Sequence, residues 1–149
     1  MLKAINTEVQ TVEPGRAVAF SYAPILMGKD AFMGYNGTHF VLRKCGVYII
    51  TMTGTLSNPG APGEDVQMVL TARLNGRDIP AATVEEDVNG VRERIVSMST
   101  AVKIGRQCNC NSCSKCKYYS EEENIISIHN AGDDPLSLRN VTLLIERAE

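Results

Sequence analysis

The sequence predicts an all-β protein, a sandwich or jelly roll, on three observations. The chain contains 13 valines, 11 isoleucines and 10 threonines against 10 leucines, and β-branched side chains suit a pleated strand better than a helix. Apolar and polar residues alternate in most segments, and no window keeps a helical period. Turns rich in glycine, proline and asparagine separate eight to ten such segments. At 149 residues, the chain is expected to form one domain over residues 1–149.

The N-terminal quarter predicts short strands. Residues 4–12 and 17–22 alternate, and the Pro14-Gly15 pair between them fits the central positions of a type II turn. Residues 23–37 contain three glycines and a proline and show no clean period, so we expect a meandering segment there. A strand is predicted over 38–43.

The central part of the chain gives the clearest strand patterns. Residues 46–56 and 66–74 alternate strongly on either side of a proline- and glycine-rich loop at 58–63. Asn75-Gly76 then tolerates the two positive φ angles of a type I′ turn. The sequence therefore predicts a hairpin that returns over 78–84.

The remaining strands are predicted over 91–104, 124–130 and 136–147. The acidic runs Glu85-Glu86-Asp87 and Glu121-Glu122-Glu123 are interpreted as solvated turns or loops.

Two of these strands carry apolar side chains on both faces. Val47 and Ile49 alternate with Tyr48 and Ile50, and the last strand repeats the pattern. One face of each sheet in a sandwich normally meets water, so this pattern favours an outer face that is covered by another subunit. A scatter of exposed apolar residues is the alternative.

Five segments recur in a fixed order along the chain. They are Gly46-Val47-Tyr48-Ile49-Ile50-Thr51, Leu70-Thr71-Ala72-Arg73-Leu74-Asn75-Gly76 with Ile79-Pro80, Asn124-Ile125-Ile126-Ser127-Ile128, Leu136-Ser137-Leu138 and Val141-Thr142-Leu143-Leu144-Ile145-Glu146-Arg147. Their order resembles the globular head shared by tumour necrosis factor and complement component 1q, and in particular the C-terminal domain of the collagen-like exosporium glycoproteins on bacterial spores. The similarity extends over about residues 15–149.

The resemblance implies a ten-stranded jelly roll that assembles as a tight homotrimer about a three-fold axis. It implies a non-enzymatic head for structural assembly, surface display, or recognition of a glycan or protein receptor on a spore, cell or phage surface. These residues contain no collagen-like Gly-X-Y tract, so we expect a departure from the stalk-borne arrangement of the exosporium proteins. The residues expected at the trimer interface are Tyr48, Ile50, Val141, Leu143 and Ile145.

A cysteine-rich loop is predicted at 106–120, where such heads have a short connection. Cys108, Cys110, Cys113 and Cys116 fall within nine residues. Four thiolates suit zinc or an iron–sulfur cluster. Disulfides within the loop or between subunits are an equal alternative, and free thiols are a third. The alternative function is therefore a metal-binding or redox-active protein that works through this loop. Cys45 is expected to be a small buried apolar residue.

Other chemistry has weaker signals in the sequence. His39 and His129 do not form the His-x-His pair of a cupin-type metal site, and His129 is interpreted as a structural strand residue. Asp133-Asp134 is expected to be a solvated turn, with calcium binding as the alternative. The chain has neither the Gly-x-Ser-x-Gly elbow of a hydrolase nor a phosphate-binding glycine loop. We therefore expect no enzyme.

Charge and hydropathy argue against two classes of partner. The formal net charge is −2 and the isoelectric point is about 5.7, which gives no electrostatic reason to expect nucleic acid. No segment approaches the run of about 20 apolar residues that a membrane span needs. The N-terminus does not resemble a signal peptide, so a soluble chain without membrane insertion is expected.

Overall fold

A computed structural model describes residues 1–28, 30–57, 65–89, 93–105 and 119–148. This part of the chain is all β, as predicted, and contains no helix that could span a membrane. Its eleven strands are β1 (Leu2–Asn6), β2 (Gln10–Val12), β3 (Tyr22–Leu26), β4 (Ala31–Met33), β5 (Phe40–Lys44), β6 (Gly46–Ser57), β7 (Asp65–Leu74), β8 (Arg77–Asn89), β9 (Arg94–Ile104), β10 (Tyr119–Asn130) and β11 (Leu136–Ala148).

The strands form two antiparallel sheets. The first sheet has the order β3-β1-β11-β6-β9, with β2 also paired to β11, and the second has the order β4-β5-β10-β7-β8. Chain neighbours are often not sheet neighbours, since β11 lies between β1 and β6. This arrangement agrees with the predicted jelly-roll sandwich.

The hydrophobic core lies between the two sheets. Tyr48, Ile50, Met52 and Leu56 alternate along β6 and are all buried, because successive side chains of a strand point to opposite faces. Inward side chains from both sheets meet them in one continuous cluster. The doubly apolar strands therefore use one of their two faces to build this core.

Two predicted turns are confirmed in detail. Asn75 and Gly76 have φ angles of 52° and 77°, which join β7 to β8 as a type I′ turn requires. In the earlier turn, Gly15 has a φ of 74° and Arg16 N donates to Glu13 O at 2.9 Å. Both turns are set by local residue chemistry, which explains why the sequence reveals them.

The N-terminal strands differ from the prediction. Residues 4–12 form two strands because Asn6 Oδ1 accepts a hydrogen bond from Glu8 N at 3.0 Å, which turns the chain between β1 and β2. Residues 17–21 are irregular, with a β-bridge from Ala17 to His129. Residues 23–37, predicted to meander, instead contain most of β3 and all of β4. The split of the first strand contributes to the count of eleven strands in the described residues, where the resemblance implies ten.

Both acidic runs are also different from the prediction. The run at 85–87 lies inside β8, where Glu85 pairs with Val69 and Glu86 pairs with Met68 of β7. The run at 121–123 lies inside β10. Their composition suggested loops, but main-chain pairing with a neighbouring strand is open to any residue except proline, so the partner strand decides.

Candidate assembly surface

The five residues predicted for a trimer interface belong to the core of a single chain. Tyr48, Ile50, Val141, Leu143 and Ile145 are between 0% and 1% exposed. Their positions along β6 and β11 place them on the face that packs against the second sheet. Burial within one chain leaves these side chains no surface to offer to a neighbouring subunit.

Tyr48 shows how completely this inner face is used. Its hydroxyl donates to Lys44 O at 2.8 Å and lies 3.3 Å from Asp30 O. Burial raises the pKa of Tyr48 above its ordinary value, because desolvation disfavours the phenolate. The side chain is a fixed part of the core and its polar end is satisfied there.

The residues that alternate with these five form the outer face of the first sheet. Ile49 is 42% exposed and Val47 is 36% exposed, whereas Ile5 and Leu144 are half-buried and Tyr22 is exposed. We use "outer face" for the following eight residues: Ile5, Tyr22, Val47, Ile49, Thr51, Thr53, Thr142 and Leu144.

The strand register brings the outer face together as one surface. Ile5 of β1 lies opposite both Tyr22 of β3 and Thr142 of β11. Thr142 in turn lies opposite Thr53 of β6. A second row runs from Leu144 to Thr51, whose hydroxyl lies 3.1 Å from that of Ser99 on β9. Four neighbouring strands thus contribute to the surface.

The outer face as defined contains only aliphatic, tyrosine and threonine side chains. Two charged residues project to the same side of the sheet, because Lys3 is in register with Leu144 and Glu146 is in register with Ile49. The centres of protein–protein interfaces are depleted in charged residues. The uncharged row of Ile5, Thr142 and Thr53 therefore has the composition expected where another protein surface packs.

The side of the second sheet that points away from the core carries polar side chains around His129. His129 Nε2 lies 2.9 Å from Ser127 Oγ, and Nδ1 lies 3.1 Å from Gly15 O. The arrangement is satisfied if Nδ1–H donates to the carbonyl and Nε2 accepts from the serine hydroxyl. This pairing attaches the turn at Gly15 to β10, which agrees with the predicted structural role of His129.

The cysteine prediction falls mostly outside the described residues. Cys108, Cys110, Cys113 and Cys116 lie between residues 105 and 119, so their zinc, disulfide and free-thiol interpretations stay predictions. Cys45 is free and half-buried, not fully buried, and its Sγ lies 3.4 Å from Gly105 O. Within the described part of the chain, no three His, Cys, Asp or Glu side chains come together as a metal site.

Comparison with known proteins supports the fold. No protein-family model matches the sequence. No curated protein matches it. Among solved structures, the chain is similar to the globular domain of the zebrafish complement 1qA protein, with a TM-score of 0.64 and 12% sequence identity. The similarity covers 99% of this chain and 96% of that chain. The fold is therefore that of the complement component 1q globular head, as the sequence resemblance implied.

Proposed function

We propose that this chain is a non-enzymatic head that assembles as a homotrimer and acts by recognition or structural display at an exposed surface. The observation that carries the proposal is the outer face, which leaves the apolar side chains of Ile49 and Val47 exposed on a sheet whose other face is already filled. The complement-like fold supports it, because the resemblance implies trimers. The interface residues are those of the outer face, in place of the buried five.

A second copy of the chain is the partner that we favour for this face. An extended neutral surface suits a permanent partner of constant shape, since obligate interfaces are more apolar than transient ones. A three-fold interface is heterologous, meaning that two different surfaces of the chain meet and the rotation closes after three copies. The outer face supplies one of these two surfaces.

The first test is native mass spectrometry of the protein purified without reductant or added metal. The expected species has three times the 16.2 kDa mass of the chain. The same spectrum tests the alternative function, because one zinc per chain adds mass and each disulfide removes two hydrogens. A monomer at every micromolar concentration would contradict the assembly proposal.

A variant with a charge on the outer face tests the position of the interface. Thr53→Lys places an ammonium group between two neutral cross-strand neighbours, Thr142 and Ser97, and we expect it to dissociate the trimer without unfolding the chain. Val9→Lys is the matched control, because Val9 is 67% exposed in the segment between β1 and β2. Equal dissociation by both variants, or by neither, would argue against this surface.

The proposal names the ligand and the location only by class. Heads of this kind are expected to recognise a glycan or a protein receptor, and we place this one on a spore, cell or phage surface by resemblance alone. Immunolabelling of the source particle, with and without permeabilisation, tests the location. Label that requires permeabilisation would refute surface display.

A further inference from the structure

A cleft of about 300 Å³ opens at one edge of the sandwich. It lies between the beginning of β8 and the end of β9, the edge strands of the two sheets. Its volume falls at the lower end of the range of about 300–1,000 Å³ that is usual for small-molecule sites. The lining residues are Leu74, Arg77, Asp78, Ile79, Pro80, Ala101, Val102 and Lys103.

An irregularity in β8 explains why the sandwich is open here. The register with β7 shifts between the pairs Thr71–Thr83 and Arg73–Asp78, so β8 has extra residues at this point. Pro80 lies among them, and proline in a sheet is confined to edges and bulges because it has no amide proton. The bulge interrupts regular pairing beside the cleft.

The floor of the cleft is apolar. Ile79 and Val102 are 8% and 5% exposed, respectively, and Leu74 packs against the hydrophobic core. Pro80 adds a further apolar surface. A ligand with a small hydrocarbon body would gain free energy by covering this floor, since burial of apolar area yields about 25 cal/mol per Å².

The walls of the cleft carry excess positive charge. Arg77 and Lys103 line it, and neither forms an ion pair or a hydrogen bond through its side chain with another described residue. The acid in the cleft, Asp78, is already paired with Arg73 at 2.7 Å. The cleft therefore offers two cations whose charge no described side chain neutralises.

We infer that this cleft binds a small organic carboxylate that carries an apolar body. The planar guanidinium of Arg77 matches a carboxylate with two parallel hydrogen bonds, and Lys103 supplies a second positive charge. The apolar part of the ligand lies on Ile79 and Val102. This inference goes beyond the proposed trimer, since every lining residue belongs to one chain.

The test is a titration of the assembled protein with benzoate, followed by ¹H–¹⁵N NMR or calorimetry. Benzamide keeps the ring without the charge, and acetate keeps the charge without the ring. We expect benzamide to bind at least about tenfold more weakly than benzoate, because a hydrogen bond to a charged group contributes about 1.5–3 kcal/mol and a tenfold change corresponds to about 1.4 kcal/mol. Acetate should also bind more weakly, because it leaves the apolar floor uncovered.

Variants identify the cations. Arg77→Gln and Lys103→Gln should each weaken benzoate binding by about fivefold to tenfold. Arg16→Gln, which removes a cation from the exposed turn before β3, should leave it unchanged. Both cleft side chains are at the surface, so thermal unfolding is expected to confirm that the variants fold.

Three outcomes would overturn the inference. One is binding of benzamide as tightly as benzoate, which would show an apolar cleft without charge selection. Another is unchanged affinity in the Arg77→Gln, Lys103→Gln double variant. The third is the absence of benzoate-induced amide shifts at 77–79 and 101–103 while assembly is normal.

Discussion

Replacement of Asn130 by aspartate tests the polar contacts that hold three segments of the chain together. The side chain is 0% exposed. Its Nδ2 donates to Val12 O at 2.9 Å and to Asp134 O at 2.8 Å, and its Oδ1 accepts from Gly132 N at 3.0 Å. Asn130→Asp keeps the shape and the acceptor but replaces both donated hydrogen bonds with contacts between oxygen atoms.

The expected cost follows from those two bonds. Each carbonyl that loses its donor costs about 1–3 kcal/mol when it is buried, so the variant should lose about 2–6 kcal/mol before any cost of burying the charge. Domains of this size are stable by about 5–15 kcal/mol in total. Asn130→Asp should therefore remove a large part of the free energy of unfolding.

Urea unfolding at one fixed protein concentration measures this loss, because assembly makes apparent stability depend on concentration. The midpoint should fall while the slope stays constant. Asn36→Asp is the control, since the side-chain hydrogen bond that Asn36 forms with a described residue is made by its Oδ1, which accepts from Thr38 N at 3.2 Å. The deficit of Asn130→Asp should shrink from about pH 7 to about pH 4, because a protonated carboxyl regains one donor. Equal small losses in both variants would refute the reasoning.

Two further predictions concern the core and a tight turn. Tyr48→Phe loses the bond to Lys44 O and should cost about 1–2 kcal/mol near neutral pH. Burial raises the pKa of Tyr48 in the folded chain, so the stabilising contribution of the hydroxyl is complete below about pH 10 and is lost as the pH rises further. In urea unfolding, the difference in free energy of unfolding between wild type and Tyr48→Phe should therefore narrow above that pH. A difference that stays constant would contradict this. Gly37→Ala places a Cβ in steric overlap with Phe20 O, whereas Gly15→Ala at a similar positive φ meets nothing within 4 Å. Thermal unfolding should show a loss of about 1 kcal/mol for Gly15→Ala and a clearly larger loss for Gly37→Ala; equal losses would show that backbone strain alone matters.

The parts of the fold that the sequence predicts are those that local chemistry decides. The Asn75-Gly76 turn and the half-buried strand before it each carry their own signal, the first in allowed φ angles and the second in clean alternation. The order of the strands also resembles a known family closely enough to imply the sandwich, and the structure agrees.

The sequence does not show which face of each strand points to the core. Alternation identifies the inner face only when the other face is polar, and β6 has apolar residues at both Tyr48 and Ile49. The prediction placed Tyr48 at the subunit interface, whereas the structure buries it and exposes Ile49. The prediction of loops at the two acidic runs was wrong for a related reason, because pairing with a neighbouring strand is a tertiary effect that amino-acid composition does not show.

The cleft borders the outer face where β9 pairs with β6, and this relation separates the two proposals. Lys103 lies opposite Val47, and Ala101 lies opposite Ile49, so one wall of the cleft continues into the proposed trimer interface. Arg77 and Ile79 belong to β8 of the second sheet, away from that face. If the cleft is complete within one chain, a monomeric Thr53→Lys variant should bind benzoate with the affinity of the wild type, because Thr53 lies opposite Ser97 and not opposite a residue that lines the cleft. A loss of binding on dissociation would instead show that a neighbouring copy completes the site, while the assembly proposal itself would stand.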